Sequence, residues 1–93
     1  MNWKLHGKDD YTLQDGDILR TQSSISGIYY YAIASGNGFG SKPIKETPFG
    51  NAIFVKYVST NFDDVILKRE TKNYIFEDGD RWERFWQVER LIE

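Results

Sequence analysis

The chain has 93 residues, a length that predicts a single domain over residues 1–93. Its 12 basic and 14 acidic residues give a net charge of −2, which is too balanced to draw the protein to nucleic acid or to an anionic membrane. The absence of cysteine excludes disulfides, thiolate metal ligands and cysteine nucleophiles. The sequence shows no signal peptide and no apolar run of membrane-spanning length, so we expect a soluble, cytoplasmic protein with no membrane partner.

Short apolar runs rich in Ile, Val, Tyr and Phe recur between turn signals, and this pattern is typical of β-strands. Their number and spacing predict a mainly β fold, a small antiparallel barrel or rolled sheet of five to six strands. The predicted strands are Asp17 to Thr21, Ile28 to Ala34, Ala52 to Val58, Asp63 to Arg69 and Tyr74 to Glu77.

Two similar turn sequences stand near the ends of the chain: YTLQDGD at 11–17 and YIFEDGD at 74–80. Asp-Gly is a strong hairpin signal, because both central residues of a type I′ turn have positive φ. We interpret both as turns. Their aspartates lack the longer spacing and terminal Glu of a calcium loop, so we predict no metal site and no cofactor.

Residues 21–41 contain no acidic, basic or histidine side chain. Within them, a strand over 28–34 places Tyr29 and Tyr31 on one face and Tyr30 on the other. Interface cores are depleted of charge and enriched in aromatic residues, so we interpret one face as core and the other as a contact patch. An uncharged strand left as an open edge is an aggregation hazard, and we expect a partner or a second copy to cover it.

The glycine-rich stretch SGNGFGSKP at 35–43 matches no named phosphate-binding motif. A P-loop needs Gly-Lys-Ser/Thr at the start of a helix, whereas Lys42 here precedes a proline. The dinucleotide fingerprint needs one more residue between its last two glycines. We therefore interpret Gly36, Gly38 and Gly40 as hinges.

The predicted connection from Ser35 to Asn51 has 17 residues, far more than the usual four to six or so. Phe39 and Phe49 lie in it, each followed by glycine, and two interpretations stay open: they plug the end of the barrel or they contact a partner. Lys42 and Lys45 belong to the mildly basic stretch 42–62 and would lie at the rim of such a contact.

The C-terminal segment DRWERFWQVERLIE, residues 80–93, fits two structures. As a helix, Asp80 would be the N-cap and Glu83 would complete a capping box. As a strand, Trp82, Trp86 and Val88 would share one face, opposite a face that carries the acids. The strand is slightly favoured, and a short C-terminal helix is the alternative.

No catalytic constellation is visible. His6 is the single histidine, lies in no recognisable motif and is expected to be solvent-exposed, while the paired acids fit turns better than acid/base chemistry. We therefore predict a protein that is not an enzyme.

The predicted function is a small binding module that docks on another protein as an inhibitor or adaptor. The predicted contacts are Tyr29, Tyr31, Phe39, Lys42, Lys45, Phe49 and Trp86. The alternative is a small barrel that binds nucleic acid or a nucleotide by tyrosine stacking, with Lys42, Lys45 and Lys56 on phosphates. A homodimer is also expected, because pairing would hide the uncharged strand.

Overall fold

A computed structural model describes residues 2–6, 11, 13–35, 52–72, 80–83 and 87–93. These residues form one six-stranded antiparallel sheet, with strand order β1-β6-β2-β3-β4-β5, and one helix. In chain order the elements are β1 (Asn2–Leu5), β2 (Ile18–Gln22), β3 (Tyr29–Ala34), β4 (Ala52–Ser59), α1 (Phe62–Thr71), β5 (Asp80–Glu83) and β6 (Glu89–Ile92). The prediction of a mainly β antiparallel sheet is confirmed.

The short connection between β5 and β6 requires the sheet to roll. These strands are four positions apart in the sheet, about 19 Å if it were flat. The register also places Glu83 and Glu89 about six residues apart along the strand direction, roughly 20 Å. The resulting diagonal of about 28 Å exceeds the reach of six Cα steps, about 21 Å. The two strands must therefore curl toward each other, although β1 and β5 remain the unjoined edges in the part of the chain described.

Buried side chains lie on both faces of the sheet. One face, the Leu19 face, carries the core cluster Leu13, Leu19, Ala32, Ala34, Val55 and Val88. The other, the helix face, carries Ile18, Ile33 and Leu91, and α1 covers it through Val65. Neighbouring residues of β2 and β3 alternate between the two clusters, as the two-residue period of a strand requires. Both faces of the central strands are thus buried over this stretch.

Helix α1 replaces a predicted strand. Residues Asp63 to Arg69 are helical, so that prediction was wrong. Asn61 is the N-cap, and its side chain accepts a hydrogen bond from the Asp64 N–H at 3.1 Å. Acids in the first turn and bases in the last turn complement the helix dipole, and Lys72 ends the helix with φ of 54°. These end signals outweigh the short apolar run that favoured a strand.

The remaining predicted elements agree with the structure where it describes them. The predictions for β2, β3 and β4 are confirmed to within about one residue, whereas β1 was not predicted. In the C-terminal segment, 80–83 and 89–92 are strands, and the helix of the fold lies earlier in the chain. The predicted strand from Tyr74 to Glu77 lies outside the described residues.

The first Asp-Gly sequence forms the predicted turn. Gly16 has φ of +96°, a value that favours glycine. The carboxylate of Asp17 accepts hydrogen bonds from the Tyr11 hydroxyl at 2.8 Å and from the Gln14 N–H at 2.7 Å. That carboxylate is therefore used within the turn. Of the described helical residues, none forms a segment long and apolar enough to cross a membrane.

Candidate functional site

The β2–β3 hairpin extends beyond the strands beside it. Strand β6 pairs with β2 only at Leu19 and Arg20, and β4 pairs with β3 only from Tyr31 onward. The hairpin itself continues past these points, since Gln22 still pairs with Tyr29. Residues 22–30, which we call the hairpin arm, thus have no described strand on either outer side.

Ser23 holds the loop at the end of the arm. Its N–H donates to the Ile28 carbonyl at 2.9 Å, and its carbonyl accepts from the Gly27 N–H at 2.9 Å. Its Oγ accepts from the N–H groups of Ile25 at 3.3 Å and Ser26 at 3.2 Å. Gly27 has φ of +75°, which lets the chain reverse without strain. The sequence SSISG is therefore a turn in which side-chain and backbone hydrogen bonds fix the conformation.

Apolar side chains of the arm face solvent. Ile25 at its tip is 98% exposed, Ile28 is 49% exposed and Tyr30 is 37% exposed. Large apolar side chains are rarely this exposed without a partner when they lie together. Sequence reasoning missed Ile25, because one Ile among serines and glycine has no strand or helix period. Its signal is that a turn-forming stretch should be polar at its tip, and this one is not.

Strand β3 is an interior strand, which corrects one expectation. Tyr31 to Ala34 pair with β2 on one side and with β4 on the other. The uncharged strand is therefore not an open edge of the sheet, and pairing with a second copy along these residues is not available. Its uncharged character is explained by burial on both faces from residue 32 to 34.

Two of the predicted contact residues, Tyr29 and Tyr31, lie together at the base of the arm on the helix face. Their rings are stacked, with centroids 6.2 Å apart. Tyr31 also packs against Phe62 at 5.3 Å and Trp3 at 6.2 Å, and both tyrosines are half-buried. Strand alternation predicted that these two tyrosines share a face and that Tyr30 lies on the other. Tyr31 helps to seat α1, while Tyr29 lies nearer the arm.

Arg20 completes this aromatic group. Its guanidinium lies 4.3 Å from the Trp3 ring centroid and 4.7 Å from that of Tyr29. It also donates two hydrogen bonds to the Glu89 carboxylate, at 2.9 and 3.3 Å. A guanidinium held by two rings and a carboxylate has its charge largely compensated. This group is therefore an aromatic surface and not a cationic one.

Other cations near the sheet are also paired. Lys56, which the nucleic-acid alternative placed on phosphate, forms an ion pair with Asp15. Arg69 forms two hydrogen bonds to Glu93, at 2.6 and 3.1 Å, and this contact lowers the pKa of Glu93. The part of the chain that the structure describes thus gives no support to a phosphate-binding surface.

The other predicted site residues lie outside the described residues. They are the contacts Phe39, Lys42, Lys45, Phe49 and Trp86 and the hinges Gly36, Gly38 and Gly40. The residues that flank the glycine-rich connection are described, and they lie where β3 ends and β4 begins. That is the opposite end of these strands from the arm, so of the predicted contacts the structure brings together only the two tyrosines.

The expectation for His6 is wrong. His6 is 6% exposed, and its N–H donates to the Val88 carbonyl at 2.8 Å where β1 meets the start of β6. Comparison of the chain with protein-family profiles, curated proteins and solved structures gives no match.

Proposed function

We propose that this protein is a small non-catalytic binding module that docks on another protein, as an inhibitor or adaptor, through the β2–β3 hairpin. The observation that supports this most strongly is the hairpin arm, in which exposed Ile25, Ile28 and Tyr30 stand on a projecting stretch with no charged residue. Interface cores have this composition, since burying a charge without a partner is unfavourable.

The fixed conformation of the arm supports the same proposal. Association loses free energy when loops must become ordered, and a loop whose hydrogen bonds are already formed avoids part of that loss. The Ser23 network and the bond from the Gln22 amide to the Gly27 carbonyl, at 2.9 Å, hold the arm before any partner binds. The arm is therefore suited to docking as a preformed element.

The aromatic group beside the arm extends the proposed surface. Tyr, Trp and Arg are the residues most often found at energetic hot spots of interfaces. Trp3, Arg20 and Tyr29 adjoin the arm on the helix face and remain partly accessible. We place Tyr29 at the contact, with Tyr31 supporting it from below. Phe39, Lys42, Lys45, Phe49 and Trp86 remain proposed contacts of the same partner.

The test is affinity capture from the source cell with a matched pair of variants. The first variant, Ile28→Ser with Tyr30→Ser, removes exposed apolar groups of the arm and leaves both core clusters intact. The control, Leu67→Ser, removes a side chain that is 58% exposed on α1. We expect the wild type and the control to retain the same partner protein and the arm variant to lose it.

Circular dichroism of all three proteins checks that the fold is kept. If the arm variant captures every partner as well as the wild type does, the arm is not the docking element. If the captured ligand is a nucleic acid, and its binding weakens steeply with salt, the alternative function is correct instead.

A further inference from the structure

A groove lies between α1 and β6, on the helix face of the sheet. Its volume is about 460 Å³, within the usual range for sites that take apolar groups. Its apolar walls are Phe62 and Ile66 from the helix and Leu91 and Ile92 from the strand. Its polar residues include Arg69 and Glu93, which are already paired with each other.

The groove and the tip of the arm are far apart within one molecule. The register places Leu91 beside Ile18, because Leu19 pairs with Arg90. From Ile18 to Ser23 the strand rises about 17 Å, and Ile25 lies further on. The arm extends away from the groove, so Ile25 cannot enter the groove of its own molecule.

We propose that this groove receives Ile25 of a second copy, so that copies of the chain dock head to tail. The proposal uses the arm as the docking element, as the proposed function does, and adds that one of its partners is the same protein. The two surfaces suit each other in shape, since an apolar tip on a narrow arm meets an apolar concavity.

Charge supports the same pairing. Residues 21–35 carry no charge, so the arm brings no ion into the groove. The Arg69–Glu93 pair is neutral as a unit, and an uncharged tip leaves both of its members partnered. A lipid surface is a poorer occupant for the tip, because stable membrane attachment needs basic residues or a second anchor, and residues 21–35 supply no basic residue.

The tip and the groove are different surfaces, so the contact is heterologous. Each copy that has its groove filled still presents its own tip, and association continues in one direction instead of closing as a two-fold dimer. A single apolar anchor gives weak binding, so we expect association at roughly 0.1–1 mM.

The experiment is sedimentation equilibrium over a concentration series, with one variant for each surface. Ile25→Asp removes the tip. Ile92→Glu places a charge in the groove at a residue that belongs to neither core cluster, and Ile66→Glu is a second groove variant. Leu67→Asp is the control for an exposed apolar side chain elsewhere.

We expect the average mass of the wild type and of Leu67→Asp to rise with concentration, while each tip or groove variant stays monomeric. An equimolar mixture of Ile25→Asp and Ile92→Glu should form a dimer and nothing larger, because the mixture allows only one intact tip to meet one intact groove. Thermal unfolding confirms that each variant is folded.

A wild type that remains monomeric at the highest concentration overturns the proposal, as does association of Ile25→Asp equal to that of the wild type. A mixture that stays monomeric also contradicts it. Cosedimentation with phosphatidylcholine–phosphatidylserine vesicles that depends on Ile25 would assign the tip to a lipid surface instead. None of these outcomes touches the proposed function, whose test rests on Ile28, Tyr30 and a different protein.

Discussion

Tyr57 and Asp64 form the shortest side-chain hydrogen bond described in the fold, and it fastens β4 to the first turn of α1. The Tyr57 hydroxyl donates to Asp64 Oδ2 at 2.5 Å. We expect Tyr57→Phe to lower the free energy of unfolding by about 1 kcal/mol at neutral pH, because the hydrogen bond is lost while the ring still packs. Urea denaturation measures the change, and Tyr30→Phe, at an exposed ring, should leave the stability unaltered.

The same contact predicts how this difference depends on pH. The hydrogen bond to Asp64, with burial and the negative charge of Asp64, raises the pKa of Tyr57 above its ordinary value of 10.0. A phenol whose pKa is higher in the folded state contributes its full stability below the unfolded pKa and loses it as pH rises through the folded pKa. The gap between wild type and Tyr57→Phe should therefore narrow above about pH 10. A gap that stays constant there would contradict the assignment of the raised pKa to this bond.

Glu93 gives the opposite dependence on pH. Its hydrogen bonds to Arg69 lower the pKa of the carboxyl below its ordinary value of 4.5, so its contribution is present above pH 4.5 and is lost as pH falls through the lowered pKa. Because Glu93 is exposed, we expect Glu93→Gln to destabilise by no more than about 0.5 kcal/mol at pH 7. Melting temperatures measured between neutral and acid pH should converge for the two proteins, and Glu70→Gln serves as the neighbouring control.

At the scale of elements, the loop of the hairpin arm depends on one glycine. A Cβ at Gly27 would meet the Gln22 amide nitrogen at 3.9 Å, an ordinary contact, so only the φ of +75° opposes a side chain there. We expect Gly27→Ala to destabilise by about 1–2 kcal/mol, and Gly27→Asn by less, because Asn tolerates the left-handed region. Chemical denaturation measures both. Equal losses would mean that the backbone conformation is not the cause.

The elements that could be predicted from sequence are those whose local signals agree with one another. The Asp-Gly turn at residue 16 and the alternating runs of β2 and β3 specify a hairpin by turn chemistry and period together. The segment from Asp63 to Arg69 was misread because its three apolar residues fit a short strand. Its helical character resides in the Asn61 cap and in the charges at its ends, which are weaker signals than an apolar run.

The candidate site was only partly predictable for a related reason. Alternation along a strand places Tyr29 and Tyr31 on one face, and this holds whatever the surroundings are. Whether that face is exposed depends on Trp3 and Phe62, which are distant in sequence and come from a strand and a helix that were not predicted. The exposure of Ile25 depends on where β4 and β6 stop, and no local pattern encodes that register.

At the scale of the whole molecule, β2 and β3 join the two core clusters into one unit. Each of these strands contributes buried side chains to both faces, so neither cluster can separate without disrupting them. We expect Val65→Ala on the helix face and Val88→Ala on the Leu19 face to destabilise by about 2 kcal/mol each, from lost burial and the cavity left behind.

Their effects should add in the double variant, and every variant should unfold in one transition by both far-UV circular dichroism and tryptophan fluorescence. Separate transitions by the two probes would show that the faces unfold independently.

The adjacency of β3 and β4 has a consequence for how this chain can be altered. The two strands already lie side by side, with Ala34 opposite Val55, so the fold needs only a tight turn where the sequence supplies 17 residues. Exchanging that connection for a turn of about four residues should stabilise the protein by about 1 kcal/mol through the smaller loop entropy. The length of this connection is thus surplus to folding, and the same position should accept grafted peptides of varied sequence while the sheet remains intact.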